Sequence, residues 1–160
     1  MFNQIVNRYS RLKMKLSTRG EYASRAMLEL SFHYEEGPLH IREISQAQDI
    51  PERFLEQILL NLKRSGYLRS KKGPRGGYYL AKHPSEINVA DVIRAMDGPL
   101  APIDCVSVTA HETCPREKFC GLRWLWKEVR DAVAEIMERT TFEDLAQKTK
   151  QAKKEHLSKS

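Results

Sequence analysis

Between residues 51 and 80 the chain reads PERFLEQILLNLKRSGYLRSKKGPRGGYYL, and the spacing of its apolar residues changes midway. Pro51 suits the first turn of a helix, where its missing N–H is no loss. Phe54, Leu55, Ile58, Leu59 and Leu62 then recur at helical spacing as a buried stripe, leaving Arg53, Glu56, Gln57 and Lys63 on the remaining surface. Ser65-Gly66 ends the helix. Tyr67–Ser70 and Gly77–Leu80 read as two short strands joined by Lys71-Lys72-Gly73-Pro74-Arg75-Gly76, a connector of turn formers and cations. The stretch is a helix followed by a basic β-wing.

Upstream, Ile41, Ile44 and Ala47 share one face of a short helix over 41–48, and Asp49-Ile50 links it tightly to Pro51. Two short helices and this link form a helix-turn-helix. Ser17 or Thr18 caps a first helix over about 18–34, on which Tyr22, Ala26, Met27 and Leu30 recur until the Gly37-Pro38 break. Downstream, a helix over about 88–96 turns Val89, Val92, Ile93 and Met96 inward before Gly98, Pro99 and Pro102 end it, and a loop with three cysteines occupies 105–120. Leu122, Leu125, Trp126, Val129, Val133, Ile136 and Met137 follow helical spacing toward Arg139, too much apolar surface for a helix that stands alone. Thr140-Thr141 and Glu143-Asp144 supply the cap and acidic first turn of a final helix carrying Leu145.

The expected fold is mainly α. A winged helix-turn-helix with a two-stranded wing covers 14–84, a connecting helix and the cysteine loop cover 85–121, and dimerisation helices cover 122–147. A disordered basic extension, 1–13, and a basic tail, 148–160, flank them.

The 160 residues carry 27 Lys+Arg against 21 Asp+Glu, a net charge of +6, with 41% hydrophobic and 30% charged residues. That balance excludes collagen-like and mucin-like chains, and no run approaches the roughly 18 apolar residues of a membrane helix. The first residues lack an apolar export core, so a cytoplasmic protein is expected. The excess charge concentrates at 53–75, where seven basic residues face Glu56 alone. Like charge crowded onto a folded element costs self-repulsion that an anionic partner relieves, and double-stranded DNA is the natural one. Arg53, Glu56 and Gln57 are the expected base readers on the recognition helix. Lys71, Lys72 and Arg75 on the wing suit phosphates or a narrow minor groove, against the competing reading of a merely solvated hairpin. A single such domain offers little surface for specific binding. A homodimer formed through Leu122, Leu125, Trp126, Val129, Val133 and Ile136 doubles it.

Cys105, Cys114 and Cys120 are separated by eight and five residues, with no CxxC pair and no fourth cysteine for a zinc ribbon. Three thiolates in one loop suit a soft metal centre, best an iron–sulfur cluster, with a fourth ligand from elsewhere; His111, Glu112 and Asp104 lie nearby. Three inert cysteines, thiols that sense oxidants directly, and a loop that receives a small molecule or a protein are the competing readings. A thiol oxidoreductase using Cys120 is the distant enzymatic one, lacking a paired base or a phosphate loop.

The stretches MKLSTRGEYASRAML, FLEQILLNLKRSGYL and GPRGGYYLAKHPSEINVADVIRAMDG, followed by the three-cysteine loop, resemble the IscR/NsrR-type winged-helix regulators of the Rrf family from Met14 to about Gln147. The resemblance implies a homodimeric, non-enzymatic transcription regulator whose iron–sulfur cluster, two-iron or four-iron, answers nitric oxide, oxidants or iron supply. It implies Cys105, Cys114 and Cys120 as cluster ligands, Arg53, Glu56 and Gln57 at base-contacting positions, and Lys72 at the wing residue that enters the minor groove. Two departures stand out. Arg123 occupies the place of the histidine that completes the site in IscR-like members, and arginine cannot ligate iron. NsrR-like members instead take a carboxylate from the partner's first helix, a position held here by Glu21. The first cysteine gap also exceeds the family's usual five residues. Residues 1–13 lie outside the resemblance, which makes Met14 a candidate start.

Overall fold

The computed structural model describes residues 16–158, so the expected disorder of 1–13 lies outside the described residues. Among them the order is α1 (Thr18–Phe32), α2 (Ile41–Gln48), α3 (Glu52–Arg64), β1 (Leu68–Lys71), β2 (Gly77–Leu80), α4 (Val89–Asp97), α5 (Gly121–Arg139) and α6 (Phe142–Leu157). Single 3-10 turns stand at Pro84–Glu86, Asp104–Val106 and Glu117–Phe119.

Helix α1 is the central strut. Ser17 is its cap: the hydroxyl accepts from Gly20 N at 2.9 Å and donates to the Asp97 carboxylate, which pins the start of α1 to the end of α4. Gly20 permits that approach, since a Cβ there would sit 2.5 Å from Asp97 Oδ2. Ala23, Ala26, Met27 and Leu30 bury the same face against α3, α4 and α6. Helix α2 is capped reciprocally by His40 and Glu43 and stops at Asp49, whose φ of 51° is left-handed. Helix α3 buries Leu55, Ile58, Leu59 and Leu62.

Phe54 departs from the stripe assigned to it and is 49% exposed. It sits one residue off the line of the four buried positions, on the flank of α3, and the Arg53 guanidinium covers its ring at 4.7 Å from the centroid.

The wing is antiparallel with Leu68 opposite Leu80 and Lys71 opposite Gly77, so the first strand runs one residue later than the spacing suggests. Leu39 adds a rung on the other edge of β2 by exchanging backbone hydrogen bonds with Tyr78 at 2.9 and 2.8 Å. Gly77 lies at φ +143°, and a Cβ there would fall 2.2 Å from the Leu39 carbonyl oxygen, so no other residue fits that rung.

The basic segment 148–160, expected as a tail, is corrected: α6 continues to Leu157. Its acidic first turn and basic last turn both complement the helix dipole. Phe142 is fully buried, and Lys150 and Lys153 lie over the Phe32 ring at 6.0 and 5.3 Å. Thr141 and Asp144 form the capping box, and the hydrogen bonds from the Thr141 backbone and hydroxyl hold the Asp144 carboxyl below its ordinary range. A carboxyl lowered on folding stabilises the fold above its unfolded pKa, and that contribution disappears as pH falls through the depressed folded value. Asp144→Asn is therefore expected to melt below wild type at neutral pH and to lose less stability on acidification, a difference that melts at graded pH measure directly.

Candidate nucleic-acid interface and cysteine loop

Arg53, Glu56 and Gln57 all lie exposed along α3, on the side its leucine stripe leaves open. Gln57 shares a shallow groove with Phe54 and with Thr18, Arg19 and Tyr22 from the start of α1. Lys71, Lys72 and Arg75 are exposed on the wing. Two contacts fix the wing relative to the helices: Lys63 Nζ donates to Ser70 Oγ at 2.6 Å, and His40 Nε2 lies 3.1 Å from the Pro74 carbonyl. His40 thus serves as both the cap of α2 and a tether for the wing tip. Only its place before Ile41 signalled the first role, and nothing local signalled the second.

The cysteine loop runs from α4 to α5. Its three cysteines are free and half-buried, and Cys120 stands at the N-cap position of α5 without a side-chain capping bond. Glu112 N donates to the Asp104 carbonyl at 3.4 Å and Glu117 N to the Cys114 carbonyl at 3.0 Å. The Glu117 carboxylate meets His111 Nε2 at 3.1 Å and Arg123 Nη2 at 2.8 Å. These bonds hold it below the usual carboxylate range, the hydrogen bond with His111 first and the charges of His111 and Arg123 after it. His111 and Arg123 are thereby engaged with Glu117, and Arg123 Nε is buried with no partner. Glu21 is exposed in the first turn of α1 and paired to Arg25 at 3.0 Å.

The sulfurs stand on three separate short stretches, and among the described residues no three His, Cys, Asp or Glu side chains gather tightly enough to hold one metal ion. Three half-buried thiols are the soft donor type that an iron–sulfur cluster takes, so the chemistry of the donor set suits one.

Two arginines strap α5 to the rest of the chain. Arg130 donates to the Val106 carbonyl, next to Cys105, and pairs with Asp131. Arg94 of α4 pairs with Asp91 at 3.3 Å and with Glu138 of α5. The apolar stripe of α5 is consequently divided. Trp126, Val129 and Val133 are half-buried and border a groove with Ile93 and Leu100, while Leu122, Leu125 and Ile136 face outward beside exposed Trp124.

A helix-turn-helix with a basic wing, joined to an exposed apolar helix, defines a winged-helix DNA-binding protein. The chain belongs to the Rrf2 family of transcriptional regulators, whose model, described as "Iron-dependent Transcriptional regulator", matches residues 16–148. CymR of Bacillus subtilis (strain 168), an HTH-type transcriptional regulator, is 38% identical over 136 residues, covering 85% of this chain and 92% of CymR. The structure of CymR, described as the global cysteine regulator of B. subtilis, has a TM-score of 0.70 over 84% of this chain and 98% of its own. IscR of Pectobacterium atrosepticum is 34% identical over 82% of this chain and 79% of its own. The structure of T. potens IscR is 29% identical with a TM-score of 0.73, covering 88% and 92% of the two chains. These similar proteins are transcription regulators, not enzymes. No described helix is long and apolar enough to cross a membrane.

Proposed function

We propose that the protein is a homodimeric, cytoplasmic regulator whose affinity for its operator is set by an iron–sulfur cluster held by Cys105, Cys114 and Cys120, with Glu21 of the partner subunit as fourth ligand. The observation that carries this reading is the hydrogen bond from Arg130 to the Val106 carbonyl, which joins the cysteine loop directly to the helix with the exposed apolar face. When bound, a cluster supplies a centre that oxidants and nitric oxide attack. The chain's own residues carry the consequence. Cys105 lies within the turn that ends at Val106, Arg130 fixes that turn to α5, and the outward leucines of α5 set how two winged domains are spaced. Half-site spacing on DNA is rigidly periodic, so a small change in that spacing separates binding from non-binding dimers. A preference of a few kcal/mol between the two geometries suffices to switch the population.

Anaerobic purification tests it. Stoichiometric iron and sulfide with visible absorbance are expected, and Glu21→Ala is expected to lower both cluster retention and operator affinity. Unchanged retention and affinity in Glu21→Ala would remove the carboxylate from the site. A colourless protein of undiminished affinity would favour a second reading, in which the thiols themselves respond. That reading draws on the separated positions of the sulfurs and on the likeness to CymR.

A further inference from the structure

Phe54 is an apolar aromatic that the fold leaves in water. Its exposure is not a failure of core packing, because Leu55 and Leu59 beside it are fully buried and Ile58 nearly so. It stands in the first turn of α3, the end of a recognition helix that approaches base edges. Gln57 is three residues on, on the same side of the helix, and both border the groove shared with Arg19. The Arg53 guanidinium lies over the ring, and Arg19 and Gln57 border the same groove beside Tyr22 and Ile58, so an apolar group carried by a polyanion is the partner that matches both the cations and the apolar lining. In a major groove the apolar group that a base pair offers is the C5 methyl of thymine.

We propose that Phe54 reads a thymine methyl in each half-site while its ring holds the Arg53 guanidinium in a restricted pose for the neighbouring base. The proposal rests on the reading of α3 as the recognition helix. Stacking removes part of the rotamer freedom that arginine would otherwise lose on binding, so the ring acts on specificity twice: by contact and by preorganisation.

The test uses the full-length protein and a duplex that it selects from a random-sequence library. Each thymine is replaced in turn by deoxyuridine, which removes the methyl and leaves base pairing intact. The wild type is expected to lose about fourfold in affinity at one thymine per half-site, the worth of one buried methyl. Phe54→Ala is expected to bind the original duplex more weakly, to lose nothing further at that uracil, and to relax base preference at the adjoining pair. Phe54→Leu keeps part of the sensitivity. Because the side chain is half in solvent, both variants should match wild type in far-UV circular dichroism and urea midpoint. A wild type indifferent to every uracil, or a Phe54→Ala protein with the same uracil sensitivity as wild type, overturns the proposal. So does a Phe54→Ala protein whose DNA affinity is unchanged while its oligomeric state shifts, since the ring would then serve a protein contact. Failure of the wild type to select any sequence would instead remove the reading of α3 on which the proposal stands.

Discussion

In the homodimer proposed above, Leu125→Glu is expected to leave a monomer and to weaken operator binding about a thousandfold, the order by which a linked second site raises avidity. Leu122, Leu125 and Ile136 are 65, 43 and 54% exposed and share the outward side of α5. Apolar side chains so aligned on one helix face are costly to leave in water and mark an association surface. A carboxylate buried there without a partner costs several kcal/mol, more than one leucine contributes. The fold of the subunit should survive, because α5 is tied to the rest of the chain by the two arginine straps. Sedimentation velocity and fluorescence anisotropy on one sample separate the outcomes. A variant that still sediments as a dimer and binds with wild-type affinity would place the subunit contact elsewhere.

The winged core was legible because its signals are local. Pro51 and Ser65-Gly66 bracket α3, the shift from helical to alternating spacing marks the wing, and the cap at Thr141 starts α6; each of these is set within a few residues. What was not legible depends on groups distant in the chain. Phe54 satisfies helical spacing with Leu55 and Ile58, yet the width of the buried face is decided by where α1 crosses, and that crossing leaves Phe54 outside. The stripe of α5 reads as one surface, but Trp126, Val129 and Val133 are half-buried and border a groove with Ile93 and Leu100, while Leu122, Leu125 and Ile136 stand outward. The lysines of 148–157 look like a frayed end until Phe142 and Ala146 are seen docked against the core. The network of His111, Glu117 and Arg123 joins residues six apart, a spacing with no meaning in either a helix or a strand. The cysteines were found by their chemistry alone, and their role stays with the proposal above.

Gln57→Ala and Arg53→Ala are each expected to cost about 1–3 kcal/mol of operator affinity and to relax preference at one base pair per half-site, whereas Lys72→Ala weakens all duplexes alike. The distinction follows from where the side chains are mounted. Gln57 and Arg53 stand on a helix whose far end is tied to the wing by the 2.6 Å bond from Lys63 to Ser70, so the proposed base readers are held in a fixed register to the wing. A base edge left without its donor is a buried unpaired group, and that penalty falls on one sequence position. Lys72 instead projects from an exposed turn whose tip is held by His40 through the Pro74 carbonyl. A cation so placed displaces counterions from phosphate, a contribution blind to sequence, and its loss should reduce the slope of log affinity against log salt by about 1. Titrations of the three variants at several salt concentrations, against the selected duplex and one with a base changed, therefore sort helix from wing. A Lys72→Ala protein with altered base preference and an unaltered salt slope would move that lysine from the phosphates to a base edge, and a Gln57→Ala protein that weakens every duplex equally would remove α3 from direct readout.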